Sequence, residues 1–162
     1  MEDELEENQS LPNQLLKFIN LDIVFDYIGV LPTDYANIND FSKMQDGYRF
    51  NSVTGECFVS DEVGEWQDGW YVFAQNMMGD PFYIDFTQED IGFPVYFSYH
   101  GAGKWESLKI ADTLGQFENI LRIIKGMDVD TPFELSSLSL EIDSSNAFWL
   151  EVRETCKELG CD

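Results

Sequence analysis

The sequence predicts an α+β domain: a twisted, mostly antiparallel β-sheet packed with N-terminal and C-terminal helices. Three observations lead there. Apolar residues recur at helical spacing near the N-terminus, change to a period of two from Tyr48, and return to helical spacing after Asp112. The β-prone runs between these points are separated by intervals too short for helical crossovers, so neighbouring strands pair antiparallel. A chain of 162 residues, 44% hydrophobic and with 13 Phe, 7 Tyr and 4 Trp, suits one domain whose core needs no disulfide or metal staple.

Element by element, residues 1–9 hold a run of acids with almost no packing residues, and predict an acidic flexible tail ahead of a single domain over 10–162. Ser10 offers an N-cap for a helix in which Leu11, Leu15, Leu16, Phe18 and Ile19 share a face. The apolar stretch 23–30 leaves strand and helix open. Thr33 or Asp34 then caps an expected helix through Tyr35, Ile38, Phe41 and Met44, stopped by Gly47. Tyr48, Phe50, Cys57 and Val59 flank a Thr54-Gly55 turn and predict a hairpin. Strands follow at 70–74, 82–86 and 94–99, and another around Trp105, Leu108 and Ile110, with breaks at 78–80 and at Gly101 and Gly103. Asp112 or Thr113 caps a helix with Leu114, Phe117, Ile120, Leu121 and Ile124 on one face, ended by Gly126. Thr131-Pro132-Phe133-Glu134 has the form of a capping box, yet 135–142 alternates, and both helix and strand stay open. Ser144 or Ser145 starts a last helix through Phe148, Trp149, Val152 and Leu159, with Gly160 at its end.

Charge narrows the function. With 31 Asp and Glu against 9 Lys and Arg, the formal net charge is −22 and the pI about 4.1. Such a chain repels phosphate backbones and the anionic face of a membrane, so neither direct nucleic-acid binding nor membrane binding is expected. A basic protein is the natural complement, because opposite fields speed encounter and reject wrong partners. Solubility alone is the plainer explanation of the same charge. The N-terminus lacks the basic-then-apolar order of a secretory signal. Cys57, Cys156 and Cys161 form no Cys-x-x-Cys pair and read as free thiols, which predicts a cytoplasmic location.

No catalytic apparatus is expected. His100 is the single histidine and stands in a turn; no nucleophile elbow accompanies it. Gly101-Ala102-Gly103-Lys104 is followed by Trp105 where a phosphate loop needs Ser or Thr, and it lies between strands instead of opening a helix. Asp80, Asp85, Glu89 and Asp90 are close in sequence but match no calcium-loop spacing, and read as solvated turn acids; no metal or cofactor is expected. The segment 62–70 is the most informative. Trp70 leads into apolar residues and reads as a core anchor. Trp66 has only polar or glycine neighbours, so Trp66 with Glu62, Glu65 and Asp68 is the expected partner-binding set, an indole beside carboxylates suited to an incoming Arg or Lys.

Several motifs, taken in order, resemble the SUKH superfamily, the Smi/Knr-type domain. They are Leu31-Pro32-Thr33-Asp34-Tyr35, Trp70 to Asn76, Gly79-Asp80-Pro81-Phe82-Tyr83-Ile84-Asp85, Pro94-Val95-Tyr96-Phe97, and His100 to Trp105. The likeness runs from about Leu11 to Gly126, and departs where Gln45-Asp46-Gly47 stands near the usual Asn-Gly. The resemblance implies an α+β domain with a binding role and no enzymatic activity. Bacterial members include immunity proteins that neutralise toxins, often nucleases, of polymorphic or contact-dependent systems. The alternative it allows is an intracellular regulatory or scaffold module for an endogenous partner. For Gly79, Asp80, Asp85 and Trp105 it implies structural roles.

Overall fold

A computed structural model describes residues 11–25, 28–101, 103–126 and 146–159, the last four of these by backbone alone. The first helix, α1 (Asn13–Leu21), buries Leu15, Phe18 and Ile19 on one face and ends at Asp22 in the left-handed conformation. Pro12 takes the N-cap place, and Ser10 lies outside the described residues. After it, Ile23, Phe25, Ile28, Val30 and Leu31 are buried.

The helix expected after Thr33 is absent. A two-residue strand, β1 (Asp34–Tyr35), stands in its place, followed by a 3-10 turn (Phe41–Gln45). Local caps lost to tertiary hydrogen bonding, because the segment lies along the open edge of the next strand, β2 (Trp70–Gln75). The Thr33 amide donates to Gln75 O at 3.0 Å and the Ala36 amide to Phe73 O at 2.9 Å. Gln45 extends that edge with its side chain: Nε2 donates to Val72 O at 2.8 Å, and Oε1 accepts from the Val72 amide at 2.9 Å. One buried carboxamide thus satisfies both backbone groups of Val72, which would otherwise be costly to bury.

The hairpin expected around Thr54-Gly55 is a narrow reversal and not a pair of regular strands. Phe50 bridges Cys57, and the Phe58 amide donates to Arg49 O at 2.8 Å. The remaining strands are β3 (Pro81–Asp85), β4 (Val95–Phe97) and β5 (Leu108–Ala111). The sheet order is β1-β2-β3-β4-β5, and every neighbouring pair is antiparallel. A register shift between Val72 and Ala74 lets both Phe73 and Ala74 join the helical core.

Helix α2 (Leu114–Lys125) follows the sequence expectation closely. Thr113 caps it by accepting the Gln116 amide, and Gly126 ends it at φ +75°. Such a cap contributes about 1 kcal/mol. Helix α3 (Ala147–Leu159) starts beside Asn146, whose Oδ1 accepts from the Phe148 amide at 3.0 Å. Trp149 Nε1 donates to Ile110 O at 2.8 Å and Asn146 Nδ2 to Lys109 O at 2.9 Å, which fastens α3 to β5. The expectations for 1–9, for 127–145, and for Gly160 and Cys161 fall outside the described residues, as does the side chain of Cys156.

Strand alternation sorts the core into two. Phe73, Phe82, Ile84, Val95, Phe97 and Ile110 pack toward the helices with Phe18, Phe117 and Phe148. Val72, Tyr83 and, less deeply, Trp70 and Tyr96 pack on the other side with Tyr48, Trp66 and Trp105. An antiparallel sheet can leave its second face wet. Here aromatic side chains delivered by loops cover much of it.

Candidate functional site

The expected contact residue Trp66 is a core residue. It is 1% exposed, with ring centroids of Tyr83 at 4.9 Å, Trp70 and Trp105 at 5.2 Å, and Tyr48 at 5.6 Å. Its Nε1 donates to Trp70 O at 3.1 Å, so the indole's polar end is satisfied as well. Polar sequence neighbours made Trp66 look like a surface residue. In space its neighbours come from β2, β3 and two loops.

Burying Trp66 pins the loop above it. The Ser60 amide donates to Trp66 O at 2.9 Å, and Gln67 Nε2 donates to Glu62 O and Glu65 O, each at 2.9 Å. Asp61, Glu62, Glu65 and Asp68 are all exposed on this braced loop. Asp68 lies 3.4 Å from Arg49 Nη2, a surface pair worth little. Arg49 mainly serves structure: it sits 4.1 Å over the Tyr71 ring and donates to Asp68 O and Trp70 O.

Beside the loop runs a groove of about 390 Å³, whose lining includes Asp61, Val63, Trp70, Lys104, Trp105 and Glu106. Trp70 and Trp105 are half-buried, backed by Trp66 and open on their other side. The Trp105 amide donates to Gly64 O at 2.7 Å, tying the two walls together. Gly64 has φ +92°, and a Cβ there would come within 3.2 Å of Lys104 Cβ, so glycine permits the approach. Val63 is fully exposed at the rim. Sequence reasoning assigned Trp105 to a strand and passed over Val63. An apolar side chain alone in a polar loop was the available signal.

The acids expected at solvated turns divide. Glu89 and Asp90 are exposed, and Asp85 caps the 3-10 turn Phe86–Ile91 by accepting the Thr87 amide at 2.9 Å. Asp80 differs, being buried and enclosed by donors. Its Oδ1 accepts from the His100 amide at 3.0 Å and lies 2.5 Å from His100 Nδ1, while Oδ2 accepts from Asn76 Nδ2 at 3.2 Å. Asn76 Oδ1 in turn accepts the amides of Met78 and Asp80 at 3.0 Å. Asp80 therefore links the β2–β3 turn to the loop after β4. Among the described residues, no group of three or more His, Cys, Asp or Glu gathers to hold a metal, and no helix is long and apolar enough to cross a membrane.

The model of the SMI1 / KNR4 family (SUKH-1) matches residues 2–119, most of the chain. The protein belongs to this family. No curated protein and no solved structure matches it. SUKH-1 domains are non-catalytic immunity or scaffold domains, associated with toxin-immunity systems, and this chain is accordingly a protein-interaction module and not an enzyme. The match ends within α2, so α3 lies beyond it.

Two tyrosines tie this SUKH-1 domain's outer core to alkaline stability. Burial, with the Asp80 carboxylate adding to it, pushes the Tyr48 phenol up to about 12; its hydroxyl donates to Gly79 O at 2.6 Å. Burial likewise pushes Tyr83 up to about 12, against the opposing hydrogen bond with Ser107. Unfolded tyrosine ionises near 10. Both groups favour the fold fully below pH 10, and that preference is lost as pH rises from 10 through 12. The difference in 295 nm absorbance between wild type and Tyr48→Phe or Tyr83→Phe should show each of these phenols ionising together with unfolding in that window; ionisation of either one near pH 10 in the folded protein would contradict it.

Proposed function

We propose that the protein is a cytoplasmic immunity protein that binds and neutralises a basic toxin domain, a nuclease being the fitting kind. The observation behind this reading is the braced loop 61–68, which presents Asp61, Glu62, Glu65 and Asp68 over a buried aromatic platform. Carboxylates held on a rigid loop present a charge pattern at little ordering cost on binding. The net charge of −22 supports long-range steering of a cationic partner. Family membership supports the immunity role.

Co-expression with each toxin domain found in the gene's neighbourhood tests it. Growth should be rescued, a complex should co-purify, and association should slow markedly between 50 and about 500 mM salt as steering is screened. Absence of both rescue and complex would refute the immunity role. A complex whose on-rate ignores salt would refute the basic partner.

A further inference from the structure

The groove beside the braced loop has the chemistry of a receptor for one kind of side chain. Its floor holds two indoles whose orientation is set from behind. Trp66 stands edge-on to Trp70 at 86° and to Trp105 at 78°, with both centroids 5.2 Å away. The rim carries Asp61 and Glu106, and Val63 projects beside them. Lys104 is the cation among the lining residues, and its Nζ lies 3.1 Å from Glu106 Oε1 with both side chains well exposed. A cation of this chain thus already pairs with one of the groove's acids, in a contact that solvent weakens.

We infer that this groove seats an arginine side chain of the protein partner, its guanidinium laid on the Trp70 and Trp105 indoles and paired with Glu106 and Asp61 in place of Lys104. The inference rests on the basic-partner reading and adds the site and the residue type. A guanidinium suits the groove better than an ammonium: it is planar, stacks on aromatic faces, sheds water more readily, and forks onto carboxylates. Val63 and the indole edges would cover its alkyl stem.

Blocked tetra-arginine and tetra-lysine peptides serve as probes, titrated into the full chain at low salt and followed by the indole and amide NMR resonances. Tetra-arginine should shift the Trp70 and Trp105 indoles and the Gly64 amide first, and bind several-fold more tightly than tetra-lysine. Glu106→Gln should weaken it about fivefold, and Lys104→Ala should tighten it two- to threefold by removing the competitor. Both substitutions change exposed side chains, so folding is not at stake; Asp90→Asn, on a separate turn, should change affinity less than twofold. Shifts spread evenly over the acidic surface, equal binding of the two peptides, or Lys104→Ala binding more weakly would each overturn the inference. Toxin rescue that persists alongside such a result would sink the groove assignment alone, whereas arginine selectivity without rescue or complex would sink the immunity reading alone.

Discussion

Trp66→Ala is expected to destabilise the fold by roughly 3–5 kcal/mol, the range for truncating a buried large aromatic. The indole is the hub of the outer core, within 5.6 Å of four other rings, and its removal leaves a cavity those rings cannot close without leaving their own places. Its hydrogen bond to Trp70 O is lost as well; Trp66→Phe also loses that bond but keeps a ring in the site, and should cost less than Trp66→Ala. Urea unfolding followed by far-ultraviolet circular dichroism measures both. A Trp66→Ala protein as stable as wild type would contradict the buried position, and weakened partner binding by this variant would report loss of the platform under the acidic loop, not loss of a surface contact.

Asp80→Ala should cost roughly 2–4 kcal/mol, since it removes hydrogen bonds to a charged, buried acceptor and leaves donors without partners. Asp80→Asn is the sharper experiment. The His100 amide and Asn76 Nδ2 donate to opposite carboxylate oxygens, but a carboxamide has one oxygen and one NH2. One donor must then face another donor. The isosteric change should therefore lose most of what alanine loses, with faster amide exchange around residues 98–101, where the β4–β5 loop is released. Full stability of Asp80→Asn in urea would show that the carboxylate's second oxygen is not needed. Partner binding through the groove should survive this variant at temperatures where it is folded.

Legibility in the sequence followed how local each cause was. Helix α2 was readable end to end, because its cap, apolar face and terminal glycine all lie within fourteen residues. The motif order pointed to the family because such motifs mark turns and strand starts, which are local too. The stretch after Thr33 misled because its cap residues are genuine, yet the edge of β2, forty residues away in sequence, offered stronger backbone partners. Asp80 resembled any turn acid until His100, twenty residues on, closed over it. Trp66 went wrong for a related reason. Burial depends on which loop folds across the sheet, and composition around one residue says nothing of that.

The amino-acid sequence alone thus determined the first helix, the antiparallel run of strands from Trp70 onward, the helix after Asp112, the family and the sign of the field, since all of these arise from short-range periodicity, turn chemistry and total charge. Tertiary structure alone decided that the sheet has two covered faces, that Trp66 lies under the acidic loop, and that Trp70 and Trp105 are the indoles left open to a groove. The physical reason is that an aromatic ring is buried by neighbours from distant segments, so its exposure is a property of the packed chain and not of its place in it.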